Sequence, residues 1–397
     1  MEEILNELKE EEIDINKISE EEDAESISIQ RYAFNSFKIE RSIRDLLNWV
    51  EKGKIIIPEF QRDFVWTFNQ SCKLIESILL GLPIPDFFMF RILDTEMKTE
   101  KYILIDGLQR YTAIKQFFDG VYLQGELAKK FAINDKSSQW YKKTYESLDE
   151  NDKDYFQDYS IKINVFDSIE TSEKIQKLYM TSIFERINTG STKLSSQEVR
   201  NAIYSGELIT RMKNNVKNEC FKKLLQGDEK KYSQRCKDEE LYLRFLTYNH
   251  VYKQYKKGSA HFVEEDEDSK INSSKELMLC NYLFYANKNL IDYKSDCERL
   301  NEVLKQIEEF NDGAFYTVKR ESDEISNKVH ELFSEALVIA LLNNNNIQTT
   351  KEKFNEQKIK LWKNQEAFSE FFVSTTNLDN VEKRVNVLTK ILSGAEL

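Results

Sequence analysis

All three prolines of this 397-residue chain, Pro58, Pro83 and Pro85, fall between residues 58 and 85. A proline fixes φ and removes an amide donor, so regular structure must be interrupted in that stretch and can run freely elsewhere. With only 11 glycines as further breakers, long uninterrupted helices are expected in the distal half. The length predicts two packed domains rather than one. A hydrophobic share of 40% and a charged share of 32% indicate globular domains with exposed charged helix faces.

The front of the chain mixes the two periodicities. Ile43, Leu46, Leu47 and Val50 fall at helical spacing within residues 41–51, with Gly53 as a stop. Lys54 to Pro58 reads as a short strand. Asn69 to Leu80 reads as a helix carrying Leu74, Ile75, Ile78 and Leu79, with Asn69 as N-cap and Gly81 as stop. Leu82 to Pro85 is an extended linker into the strand Phe87 to Ile92. A second strand, Lys101 to Ile105, ends at Asp106-Gly107, beyond which Tyr111, Ile114, Phe117 and Phe118 mark a helix stopped by Gly120. Ile161, Ile163 and Val165 alternate with polar residues as another strand, and a helix follows from about Ser172 to Ile187.

From Ser195 onward no strand is read. Helical stripes occur in Val199–Leu208, Leu241–Tyr252, Leu277–Leu290, Leu300–Phe310, Ile325–Leu342 and Val381–Leu392. Lys222 to Gln234 and Lys256 to Ser274 are expected to be mobile connections. The fold class is therefore α+β, divided into an acidic, flexible segment 1–34, an α+β domain 35–190 and an all-α domain 191–397.

The net charge of −12 is unevenly spread. Residues 1 to 25 hold twelve Asp or Glu against Lys9 and Lys17, a net of −10, which leaves about −2 for the rest and room for local basic patches. The acidic N-terminus is unlike a secretory signal. No apolar run of spanning length occurs, so no membrane partner is expected and a cytoplasmic location is. The five cysteines are odd in number and widely spaced, which argues for reduced, mostly buried thiols rather than a disulfide framework or a paired metal site.

Three constellations could carry chemistry. At Asp106-Gly107-Leu108-Gln109-Arg110 a strand turns into a helix, whose first-turn amides and dipole suit a phosphate. Gly107 permits close approach, while Gln109 and Arg110 add donors. A plain turn whose Arg110 pairs with a surface carboxylate fits the same residues. Ile57-Pro58-Glu59-Phe60-Gln61-Arg62, followed by Trp66, offers a second arginine that would complete a phosphate clamp. A surface loop with Phe60, Phe64 and Trp66 filling the core fits equally. In Phe184 to Gly190 and Leu194 to Glu198 a helix stop and a Ser195–Glu198 capping box explain the spacing, leaving Asn188 over.

Taken in order, these pieces, with Glu76 to Pro85 between the first two along the chain, are similar to the GmrSD restriction endonuclease N-terminal domain family, domain of unknown function family 262. The likeness runs from about residue 35 to 250. It implies a ParB/sulfiredoxin-like fold with a small mixed sheet that binds a nucleoside triphosphate with Mg²⁺. The family's Asp-Gly-Gln-Gln-Arg motif is matched by Asp106, Gly107, Gln109 and Arg110. On that resemblance Asp106, Gln109 and Arg110 are the catalytic candidates. Gln61, Arg62, Gly107, Gln109, Arg110 and Asn188 are the nucleotide-binding ones, and Asp106 and Asn188 the metal ligands. Leu108 replaces a polar residue, so binding through the backbone and Arg110 is expected to persist, whereas hydrolysis depends on whether Leu108 packs into the core.

Family members sense foreign or modified DNA and control a nuclease, often a fused HNH domain, which implies anti-phage defence and DNA as a partner. This chain has only His250, His261 and His330, none in an HNH-like context, and no Walker loop. The expected effector is therefore a nuclease acting in trans, with homo-oligomerisation compatible with such a role. Two other readings stay open. One is a DNA-binding module without nucleotide chemistry, using Lys142, Lys143, Arg211, Lys213 and Lys217. The other is a DNA nuclease in its own right.

Overall fold

Alternation of Ile161, Ile163 and Val165 with polar residues places one face of a strand in a core, and these three side chains are fully buried. The computed structural model describes residues 34–57, 64, 66–94, 99–123, 128–168, 172–187, 195–226, 228, 231–232, 234–266, 269–271, 273–319, 324–344, 346–364, 369–371 and 377–397. The acidic opening segment lies outside them. The described residues separate into two compact units, one reaching to Ile203 and the other running from Tyr204 to Leu397.

The first unit is built on a mixed sheet of five strands: β1 (Phe34–Ser42), β2 (Ile55–Ile56), β3 (Phe87–Asp94), β4 (Thr99–Asp106) and, later in the chain, β7 (Ser160–Ser168). Their spatial order is β1-β7-β3-β4-β2. β1 is antiparallel to β7, β7 parallel to β3, β3 antiparallel to β4, and β4 parallel to β2. A small hairpin, β5 (Val121–Tyr122) and β6 (Lys129–Lys130), sits apart from it.

Helices α1 (Ile43–Glu51), α2 (Phe68–Leu79), α3 (Leu108–Phe118) and α4 (Glu150–Asp158) share one core with the sheet. Ile75 and Ile78 of α2 and Ile114 and Phe117 of α3 are fully buried there beside Phe87 and Met89 of β3. The N-cap of α2 is Thr67, not Asn69. Thr67 and Gln70 form a capping box, and the hydroxyl one turn before the apolar stripe outcompetes the amide inside it. Gly53, Gly81 and Gly120 do follow helix ends in left-handed conformation. Phe90 and Ile105, which alternate with the core residues Met89 and Leu104, face the other side of the sheet, where α5 (Glu173–Ile187) runs against β4.

The stripe at Val199–Leu208 divides at Ser205-Gly206 into α6 (Ser196–Ile203) and α7 (Glu207–Asn215). The second unit continues with α8 (Glu219–Leu224), α9 (Lys237–Lys256), α10 (Lys275–Asn287), α11 (Tyr293–Phe310), α12 (Glu331–Asn344), α13 (Lys351–Lys363) and α14 (Leu378–Leu392). It also holds a hairpin, β8 (Tyr316–Val318) and β9 (Ile325–Val329). The stripe read over Ile325–Leu342 therefore begins as strand and becomes helix after His330, because a five-residue strand offers too few alternations to be told from a helical face. Among the described residues no helix is long and apolar enough to cross a membrane.

Helix α13 escaped the apolar periodicity because half its buried face is polar. Phe354, Gln357, Lys358 and Leu361 line one side at helical spacing and are all buried. The Lys358 ammonium donates to the carbonyls of Ala314 (2.9 Å) and Gly313 (3.4 Å) and lies 4.7 Å from the ring centre of Phe333. Complete burial pushes its pKa down to about 7. The unfolded chain keeps that proton to about pH 10. Between these values the unfolded state binds the extra proton, so this group's contribution to stability rises with pH. Lys358→Met should consequently change in stability relative to the natural protein most favourably near pH 7. Denaturant unfolding should show that difference shifting against the variant by a few kcal/mol as pH approaches about 9.5.

Candidate functional site

Strand β4 ends on Asp106, and the chain turns at Gly107, with φ +114° and ψ 4°, into helix α3. A β-carbon at residue 107 would lie 2.4 Å from Cδ1 of the fully buried Phe87, so both backbone conformation and space require glycine. The first helical bond runs from the Tyr111 amide to the Gly107 carbonyl (2.8 Å). Gly107, the N-cap, has no side chain with which to cap the helix, whose first-turn amides lack intrahelical acceptors.

Arg110 lies back along the turn. Its Nη2 donates to Asp106 Oδ2 at 3.0 Å and to the Asp86 carbonyl at 3.1 Å, and its guanidinium lies 5.2 Å from the centre of the Phe87 ring. Only 12% of the Arg110 side chain is exposed, against 43% for Asp106. Among the described residues the Arg110 Nε is buried without a hydrogen-bond acceptor, a costly state for a charged donor. Arg110 does pair with a carboxylate, and that carboxylate belongs to its own motif.

Gln109 Oε1 accepts from the Trp66 amide (3.2 Å), while Tyr122 donates to the Trp66 carbonyl (2.7 Å). The loop leaving the Gln61-Arg62 segment is thus tied to the turn, although Gln61 and Arg62 themselves lie outside the described residues. So does Asn188. Leu108 is half-buried and packs against the hydrophobic core, so the apolar residue in the motif serves packing behind the turn. The structure brings together Asp106, Gly107, Gln109 and Arg110.

It adds residues with no signal in the sequence. Asp86, whose carbonyl holds Arg110, accepts at its carboxylate from Asn164 Nδ2 (2.9 Å) and Lys38 Nζ (3.2 Å). The Asn164 hydrogen bond, then the Lys38 bond and charge, hold this carboxyl below the usual carboxylate range. Strands β1 and β7 thereby support the residue that positions Arg110. These partners are distant in sequence and meet only through the sheet order.

The Ser195–Glu198 capping box is present at the start of α6. Glu198 Oε2 accepts from the Ser195 amide (2.6 Å) and Ser195 Oγ from the Glu198 amide (3.2 Å). Beyond it, Gln197, Arg200 and Asn201 form a buried polar cluster, with Arg200 Nε donating to Gln197 Oε1 (2.9 Å) and Gln197 Nε2 to Asn201 Oδ1 (2.8 Å). Three polar residues at i, i+3 and i+4 on one helix face were a readable hint.

His250 and His330 are occupied by packing. His250 bonds the Phe262 carbonyl (2.8 Å) and stacks on that ring, and burial lowers its pKa. His330 Nδ1 accepts from the Phe333 amide (3.2 Å), with its pKa pushed down to about 4 by burial and then by the Lys358 charge. His261 lies in an isolated bridge to Lys270. The Cys297 thiol is raised by burial to about 12, which keeps it protonated and inert.

Fold and turn together define a mixed-sheet α+β domain organised around an Asp-Gly-x-Gln-Arg strand-to-helix junction. Residues 43–205 match the family model described as GmrSD restriction endonuclease, N-terminal domain, and this part of the chain is such a domain. The match is shorter than the likeness read from the motifs, ending close to the limit of the first unit. That description links this domain to restriction systems. No curated protein matches the chain.

Gly107→Ala should destabilise the protein by about 3 kcal/mol, through backbone strain and the clash with Phe87. Gly53→Ala, at φ +66° with nothing within 4 Å of the added carbon, should cost only about 1 kcal/mol. Denaturant midpoints of the two variants check the contrast.

Proposed function

We propose that this chain is a nucleoside-triphosphate-binding regulator within a restriction system, holding the phosphates at the Asp106–Arg110 turn and controlling a nuclease supplied in trans. The observation that carries this reading is Arg110, a mostly buried guanidinium whose Nε has no acceptor among the described residues, in the first turn of α3 after Gly107. An anionic oxygen there would satisfy that donor at the positive end of the helix dipole. Gly107 lets the phosphate approach the backbone, and Gln109 holds the loop that follows Gln61 and Arg62 close to the same turn.

Mg²⁺ fits this reading only as a companion of the phosphates. Among the described residues no group of three or more His, Cys, Asp or Glu is gathered to hold a metal. Asp106, more exposed than its arginine, would supply one protein oxygen, with Asn188 as the other proposed ligand, and the phosphate oxygens and water the rest. The ion would offset phosphate charge. Because Leu108 packs against the core, Asp106, Gln109 and Arg110 keep the polar side of the turn, and hydrolysis at this site is part of the proposal. The ParB/sulfiredoxin-like reading of the fold belongs to it as well. His250 and His330, held in packing contacts, favour a separate nuclease over an HNH centre built from them.

Calorimetric titration with Mg²⁺ and each common nucleoside triphosphate tests the proposal. Arg110→Ala should weaken binding at least tenfold, or about 1.4 kcal/mol, while Arg110→Lys, lacking the fork, should recover only part of it. Equal affinity in the natural protein and Arg110→Ala would contradict the assignment.

A further inference from the structure

Strand β1 is the outer edge of the five-stranded sheet and is nine residues long. An edge of that length is a template for further pairing. Its orientation follows from the ladder. The Ile43 amide donates to the Tyr159 carbonyl at 3.2 Å, in line with the register that pairs Arg41 with Ile161 and Ile39 with Ile163. Bonded and non-bonded pairs alternate in an antiparallel ladder, so the odd-numbered residues bond β7 while Ser36, Lys38 and Glu40 turn their backbone groups outward. The Glu40 carbonyl accordingly accepts from the side chain of Arg41 (2.6 Å) rather than from β7.

The outward residues are self-complementary. If a second β1 pairs antiparallel about a two-fold axis at Ile39, Lys38 of each copy stands opposite Glu40 of the other. Moving the axis by one residue sets Lys38 against Lys38 or Glu40 against Glu40. Opposite charges in directly facing pairs stabilise a sheet and like charges oppose it, so the pattern selects one register. On the other face, Ile39, which packs against the core, would meet its own copy. Phe37, 37% exposed, would meet Arg41. The Lys38 side chain is 68% exposed beside Asp86, leaving its ammonium accessible to a second carboxylate.

We propose that two copies of this chain associate through β1 in this register, joining their sheets into one. Sedimentation velocity of the full chain over a dilution series should show a reversible dimer. Lys38→Glu and Glu40→Lys should each weaken it at least tenfold. Mixing the two variants should restore association, because both facing pairs then carry opposite charges. Glu40→Lys leaves the Lys38–Asp86 pair intact and decides the matter alone should Lys38→Glu fail to fold by circular dichroism. A chain that is monomeric at every concentration, with its edge left to a strand of another protein, overturns the proposal. So does a dimer indifferent to Glu40→Lys, or two folded single variants that do not associate when mixed.

Discussion

The contact between the Phe87 ring and Gly107 fixes the turn that carries Asp106, Gln109 and Arg110. The ring fills the space that a β-carbon would need, forces the turn into a glycine-only conformation, and forms the surface over which Arg110 lies. Because Phe87 also belongs to the core shared by the sheet and helices α1 to α4, the turn is set by the packing of the whole unit. A guanidinium held this way loses little freedom on meeting an anion.

Arg110 is held by two acceptors of different kinds. The Asp106 carboxylate is local, one helical turn away, and can release the arginine to a competing anion. The Asp86 carbonyl is part of the backbone and is supported from β1 and β7 through Lys38 and Asn164. An anion that displaces Asp106 would therefore find the arginine still oriented, the division between exchangeable and fixed contacts that a binding site needs.

Local chemistry was legible in the sequence, and long-range assembly was not. The glycine stop at Gly53, the strand ending at Asp106, the alternation through Ile161 to Val165 and the Ser195–Glu198 box all depend on residues a few positions apart, where steric and hydrogen-bond rules act directly. The cluster of Lys38, Asp86 and Asn164 depends on the order β1-β7-β3, which no spacing encodes. The second unit obeys the same division. Its long stripes gave helices α9 to α12 and α14 in outline, while α13 was hidden by a buried glutamine and lysine and the β8–β9 hairpin by its brevity. The motif turn was legible as a turn, but its arginine's missing acceptor depends on neighbours that only the fold brings together.

An anion arriving at the turn would meet the first-turn amides of α3. Hydrogen–deuterium exchange of the full chain, with and without Mg²⁺ and inorganic triphosphate, reads those amides independently of any base preference. Slowed exchange at Leu108 and Arg110 is expected, since their first-turn amides would gain phosphate oxygens as acceptors. Unchanged exchange there, with protection confined to other parts of the chain, would contradict the proposed phosphate site.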